Sequence, residues 1–381
     1  MRKSLTLIRV AAVCSLGVLA VACGSDDDEA ATDTTAVAAA PTETLAETEA
    51  TSVATTSVPD TVPAADPPTI VVTTNVLGDI VTETVGDLAE VEVIMPIGAD
   101  PHDFAPSARE AESMENADLL VINGADFEEG MLSIIEQVES SGTPVFAFAD
   151  HIELLEFNGE HSEEGHDDHG HDDDHAHDDD HANEEEKDED HAHDADHDHD
   201  HEGGDPHIWT DPSRMIAAVE ALGDELATME DIDAGALATQ VQTYVDELTA
   251  LDAEMEATLA VVPDEQRVLV TNHEVFGYFA DRFGFEVVGA VVPSLSTNAE
   301  PSTAEVEELV ALIEVEQIPA IFAETSSPTR LAEAIASAAG NDVEVVALYS
   351  ESLGEPGSGA ETYIGMMSTN ATLIADALAP A

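Results

Sequence analysis

From Glu160 to Glu202 the chain is almost entirely histidine, aspartate and glutamate, with Lys187 as its only base. A segment of that composition has too little apolar surface to offset the entropy lost on ordering it. It cannot belong to a core, so whatever folds must be assembled from the sequence on either side, with the tract carried as an insertion. The material for a core is present elsewhere, because 43% of the 381 residues are hydrophobic, a normal globular fraction.

On both sides of the tract, strand and helix patterns alternate. TIVVTT from Thr69 predicts a buried strand, and NVLGDIVTETVG after it places Val76, Ile80, Val81 and Val85 at helical spacing. VEVIMP, DLLVING and TPVFAFA predict further strands, with PSAREAESMENA and FEEGMLSIIEQVES as the helices between them. After the tract come two long helical patterns, DPSRMIAAVEALGDELATME and then residues 236–262. The second would be ~40 Å long at ~1.5 Å per residue, enough to bridge two domains.

A second alternation follows. QRVLVTN, FEVVGAVV, PAIFAE and VEVVALY predict strands, separated by helices over EVFGYFADRFG, STAEVEELVALIEVEQ and SPTRLAEAIASAAG and closed by a terminal helix from Thr362. Ser302 with Glu305 predicts a capping box, and Ser327 before Pro328 predicts N-cap and N1. The expected fold class is α/β: two lobes with parallel sheets flanked by helices, joined by one long linking helix. The lobes would span 69–235, including a loop at about 160–202, and 263–381, with 236–262 between them.

The first 22 residues carry Arg2, Lys3 and Arg9 ahead of an apolar run from Val10 to Ala22, which predicts a signal peptide. LAVAC, followed by Gly24 and Ser25, resembles a bacterial lipobox, making Cys23 the expected lipidation site; an ordinary secretory signal cleaved nearby is the alternative. Residues 23–68 would be a flexible tether. The expected location is the cell surface, lipid-anchored on the outer face of the cytoplasmic membrane. The only other cysteine, Cys14, lies inside the signal segment, which leaves no disulfide and no thiolate metal site. A formal charge of −74 sets nucleic acid aside as a partner and favours cations.

In open parallel sheets, ligands bind beyond the carboxyl ends of the strands. The polar residues expected there are His102 in GADPHDFAPS, His273 in NHEVFGYF and Glu351 in YSESLGEPG, while His207 in DPHIWTDP follows the tract. Singly, a loop histidine is more often a surface residue than a ligand. Together, three imidazoles and a carboxylate make a candidate tetrahedral Zn²⁺ site. His151, after FAFAD, reads as structural. No HExxH pattern is present, and Glu274 reads as an early helix residue complementing the dipole rather than a general base.

GADPHDFAPS, DPHIWTDP and NHEVFGYFADRFG, in this order around a His/Asp-rich insertion, resemble the metal-specific solute-binding proteins of bacterial ABC importers, the zinc-binding branch in particular. The resemblance covers residues 69–381. It implies two α/β lobes, a rigid linking helix, a metal at the cleft between them, and an ABC permease with its ATPase as partners. His102, His207 and His273 match the family histidines, and Glu351 falls where the family usually has Asp. Ser294 falls where the manganese branch is expected to offer a second carboxylate. The expected function is capture of Zn²⁺ and its delivery to the permease by a monomer without chemical turnover. A secreted zinc hydrolase, or a zinc scavenger or adhesin without a permease, is the competing reading.

The tract itself holds His161, His166, His169, His171, His175, His177, His181, His191, His193, His197, His199 and His201. With an ordinary pKa near 6.5, most of these imidazoles are free to ligate at neutral pH, and the neighbouring carboxylates concentrate cations. Flexible repetition favours many weak auxiliary sites over one rigid site. Deleting residues 160–202 should therefore leave one tight Zn²⁺ and remove weaker ones in calorimetric titration at pH 7.5. Below about pH 6 the weak binding should fade as protons compete for imidazole. Loss of the tight site on deletion would show that the tract supplies essential ligands.

Overall fold

The computed structural model describes residues 67–156, 204–340 and 343–380. The signal segment, Cys23, the tether and the histidines of the tract lie outside the described residues. The first sheet is formed by β1 (Thr69–Val72), β2 (Glu90–Val93), β3 (Leu119–Ile122) and β4 (Val145–Ala147), all parallel, in the order β2-β1-β3-β4. The second is formed by β5 (Val268–Thr271), β6 (Glu286–Ala290), β7 (Ala320–Glu324) and β8 (Glu344–Leu348), also parallel, in the order β6-β5-β7-β8. The two orders are the same, so the repeat expected from the alternation exists as topology. Strands covered on both faces carry unbroken apolar runs, as in LLVI of β3. Edge strand β2 instead reads EVEV and is largely exposed.

The helices are α1 (Asn75–Val85), α2 (Ala108–Glu115), α3 (Leu132–Ser141), α4 (Pro212–Leu226), α5 (Ala234–Leu259), α6 (Gly277–Phe283), α7 (Thr303–Glu316), α8 (Arg330–Ala339) and α9 (Tyr363–Leu378). Most begin where a short polar side chain accepts from a first-turn N–H, as Thr74 does from Leu77 and Asp211 from Ser213. The capping box at Ser302 and Glu305 forms as expected, and a second one joins Ser107 to Glu110.

Helix α5 is the element on which the two sheets meet. Its buried residues Leu237, Tyr244, Leu248, Leu251, Met255 and Leu259 recur at helical spacing along its whole length. They belong to one apolar cluster that also holds Ile70 and Val72 of the first sheet and Leu269 and Phe322 of the second. The same helix packs against α1 and α4 on one side and α9 on the other. Each sheet covers its remaining face separately, the first with α2 and α3 through Met114 and Ile135, the second with α7 and α8 through Ile313 and Ile335. No helix among the described residues is long and apolar enough to cross a membrane.

Several local expectations need correction. The long helix runs Ala234–Leu259 instead of 236–262. The pattern FEEGMLSIIEQVES divides into a 3-10 turn, Glu129–Met131, and α3. Helix α8 begins at Arg330 after Thr329, not at Pro328, and its N-cap makes no side-chain bond. A proline biases the residue before it towards extended backbone, which suits Ser327 in the bend leaving β7. Glu274 is not in a helix at all. Its N–H donates to Ser294 O, and the N–H of Val275 to His273 O, so the chain turns here and α6 starts only at Gly277. That glycine is required, because a Cβ at 277 would stand 2.5 Å from Asp205 Oδ2.

Candidate metal centre

His102 lies in the loop after β2, His273 in the bend after β5 and Glu351 in the bend after β8, all beyond carboxyl ends of strands. His207 precedes a single 3-10 turn, Ile208–Thr210, that leads into α4. The four residues expected from sequence come together: one ligand atom from each lies within 4.8 Å of the others, and all four side chains are buried. Two come from the half built on the first sheet and two from the half built on the second.

The donor atoms are the three Nε2 nitrogens and one carboxylate oxygen. Glu351 Oε1 stands 2.9 Å from His102 Nε2, 3.3 Å from His273 Nε2 and 3.7 Å from His207 Nε2, and the Nε2 atoms of His273 and His207 are 3.3 Å apart. Four ligands at ~2.0–2.1 Å from a tetrahedral ion would be ~3.3–3.4 Å from one another. The observed spacings bracket that value, so the arrangement is already that of a tetrahedral cation site. Glu351 Oε2 is buried and without a hydrogen-bond partner, which leaves a further lone pair for a cation.

Each imidazole is fixed through its other nitrogen. His102 Nδ1 pairs with Glu129 Oε1 at 2.9 Å, His207 Nδ1 with Asp205 Oδ1 at 2.8 Å, and His273 Nδ1 with Glu324 Oε1. A carboxylate accepting from Nδ1–H selects the tautomer that turns the Nε2 lone pair inward and makes it more basic. Phe127 sets its ring edge-to-face against His102 and His207, at centroid distances of 5.1 and 5.8 Å, and closes the site on the apolar side.

Sequence reading missed these supporting carboxylates. One signal was available: Asp100-Pro101-His102 and Asp205-Pro206-His207 are the same tripeptide, and in both the Asp Oδ1 accepts the histidine N–H, at 3.0 and 2.9 Å. Glu324 ends an otherwise apolar strand, which is the place to expect a buried acid with a purpose. Glu129, 27 residues beyond His102 in a 3-10 turn, left no comparable trace. His151 is exposed and stacks on Phe146 at 4.6 Å, away from the cluster. Ser294 is engaged locally, its carbonyl accepting from Glu274 and its hydroxyl from Ser296 N–H.

The electrostatics follow from burying so many ionisable groups together. Burial alone would lower the pKa of His102, but the hydrogen bonds to Glu129 and Glu351 outweigh it and raise the value to about 9. His273 is also raised, the charges of Glu324 and Glu351 overcoming its burial. Burial pushes the Glu351 carboxyl up, yet the charge of His273 and hydrogen bonds from the three imidazoles hold it well below its ordinary range. Glu129 falls to about 2 despite burial, through hydrogen bonds from His102, Ser296 and Asn298. Glu324 goes the other way, since desolvation dominates its pairing with His273. Without a cation, protons on the imidazoles balance the acids.

The family model described as the periplasmic component A of a zinc-uptake complex matches residues 70–377. The zinc-binding protein TroA of Treponema pallidum is 29% identical over 322 residues, covering 83% of this chain and 91% of the relative. The manganese-binding lipoprotein MntA of Halalkalibacterium halodurans is 25% identical over 302 residues, covering 79% of this chain and 85% of the relative. The solved structure of the periplasmic zinc-binding protein TroA superposes with a TM-score of 0.66 at 28% identity, covering 82% of this chain and all of that one.

The raised imidazoles give a signed expectation. A histidine whose pKa is lifted to about 9 keeps its proton at pH 7.5 in the metal-free protein and must lose it before Nε2 can ligate. Metal binding at pH 7.5 should therefore release about one proton or more. Apparent affinity should climb with pH towards about 9 and level off above it. Calorimetry in buffers of different ionisation enthalpy counts the protons, and an affinity flat between pH 7 and 9 would contradict the scheme.

Proposed function

The chain belongs to the family of periplasmic component A proteins of zinc-uptake complexes, and from that premise we propose that it captures Zn²⁺ through His102, His207, His273 and Glu351 and hands it to an ABC-type permease. The chain is a metal-binding transport component and not an enzyme, in a family that works with a permease and its ATPase. The observation that carries the choice of zinc is the convergence of three Nε2 atoms on one carboxylate oxygen at tetrahedral spacing. Zn²⁺ accepts imidazole in that geometry, whereas Mn²⁺ favours more oxygen ligands and a higher coordination number. Relatives of both kinds, zinc-binding and manganese-binding, make the donor set the argument and not the likeness.

Two features outside the described residues fit the same role. Acylation of Cys23 would hold the protein at the membrane beside its permease, with the tether setting its reach; a single acyl chain anchors only marginally, so more than one would be needed. Relatives named as lipoproteins support that placement. The twelve tract histidines would raise the local zinc concentration next to the tight site. Replacing Cys23 with alanine should release the protein to the medium, and equal membrane-bound recovery of both forms would contradict the anchor.

The metal assignment is tested by competition on protein lacking residues 160–202, so that the tract cannot mask the result. Zn²⁺ should displace Mn²⁺. His102→Ala, His207→Ala and His273→Ala should each weaken the site by more than the ~10–100-fold typical of losing an outer-shell partner. Equal affinity for the two metals, or undiminished zinc binding in any one of the three variants, would overturn the assignment.

A further inference from the structure

The three imidazoles are not held alike. The carboxylates behind His207 and His273 come from their own half of the molecule: Asp205 lies two residues from His207, and Glu324 ends the strand β7 that pairs with β5 ahead of His273. His102 is oriented by Asp100 and Glu129, also from its own half, but these two are themselves held from the other side of the cleft. Three consecutive residues of the loop after β6 reach across. Thr297 Oγ1 donates to Asp100 Oδ2 at 2.8 Å, and the other oxygen of Asp100 accepts His102 N–H at 3.0 Å. Asn298 Nδ2 donates to the carbonyl of His102 at 3.0 Å and to Glu129 Oε2 at 3.1 Å. The hydroxyl of Ser296 hydrogen-bonds to Glu129 as well.

Resting on the metal-site reading above, we propose that Ser296, Thr297 and Asn298 are positioning residues for His102, a clasp that makes the rate of metal release depend on how the loop after β6 docks across the cleft. Ion departure starts with whichever ligand is least firmly held. Glu351, Glu324 and the rings of His207 and His273 are wholly buried, while Glu129 keeps a fifth of its side-chain surface in solvent and Asn298 is exposed. Withdrawing the loop takes from Glu129 two of its three partners and admits water to both anchors. His102 is then free to rotate off the ion while the other ligands stay in place. Gly130 shows how closely its neighbourhood is packed in the docked state: a Cβ there would lie 2.3 Å from Phe104 O, so the turn carrying Glu129 sits directly against the His102 loop.

The test uses the full chain loaded with one equivalent of Zn²⁺ and mixed rapidly with excess chromogenic chelator. Release from the tight site should be faster by on the order of tenfold or more in Asn298→Ala and in the triple variant Ser296→Ala/Thr297→Ala/Asn298→Ala. Zinc stoichiometry should be unchanged, and the association rate should move far less than the release rate. Thr297→Ser, which keeps the hydroxyl, should release at the wild-type rate. Loading with Co²⁺ supplies a signature that a general loss of stability would not produce: the ligand-field spectrum of the triple variant should shift as His102 loses its fixed geometry. Release at the wild-type rate in Asn298→Ala would overturn the clasp, as would faster release with an unshifted cobalt spectrum. If the triple variant does not fold, the exposed single substitution decides by the same two readouts. A wild-type chain that binds no tight zinc would instead sink the metal-site reading itself, so the two failures are separable.

Discussion

Everything about this molecule is arranged around one oxygen atom, Glu351 Oε1, on which the Nε2 atoms of three buried imidazoles converge. Removing four ionisable groups from water is strongly unfavourable unless each finds a partner. The structure supplies those partners in a ring: Glu129, Asp205 and Glu324 take the outer nitrogens, and Glu351 takes the inner ones. Acids then outnumber imidazoles, and the ring is balanced by protons or by a cation. Metal affinity and proton affinity in this site are therefore the same property measured with different ligands.

Such a ring demands accuracy, and the fold provides it by refusing to separate the halves. The apolar cluster runs without a break from the first sheet through α5 to the second. Polar pins across the seam add to it. Trp209 Nε1 donates to Ser350 O at 2.7 Å, Tyr363 Oη donates to Trp209 O at 2.7 Å, and Leu353 N–H donates to Asn75 Oδ1 at 2.7 Å. These contacts flank Glu351 on both sides in sequence. A hinge through this interface would expose the longest buried helix in the chain's described residues, so large swings of one half against the other are disfavoured by the core itself.

What the sequence made legible and what it hid divide along a physical line. Apolar periodicity reports burial, and burial is what parallel strands and a long central helix impose, so TIVV, LLVI and the face of α5 were readable one residue at a time. The ligands were readable because strand ends in a parallel sheet are few and histidines outside the tract are fewer. Helix starts failed where the chain had a competing use for its backbone donors, as at Glu274, whose N–H is committed to Ser294 O. The outer carboxylates were hidden for a different reason. In a chain with 83 acids, one more Asp or Glu carries no signal, and only contact across the fold distinguishes Glu129 from its neighbours.

A rigid core and a sealed site together limit how an ion can enter or leave. With the ligand side chains buried and the halves joined through α5, the parts free to move are the loops at the strand ends. The loop before α2 carries His102 and exposes Ile97 and Gly98 to solvent, and it crosses the seam through the bond from Gly98 N–H to Ser352 Oγ at 2.7 Å. Ser352 is next in sequence to Glu351. One loop therefore touches the neighbour of the central carboxylate and holds one of the three imidazoles, while the residues packed on α5 have no reason to move. Local opening at this loop exposes a ligand without disturbing the core, which is how a site held this tightly can still exchange its ion.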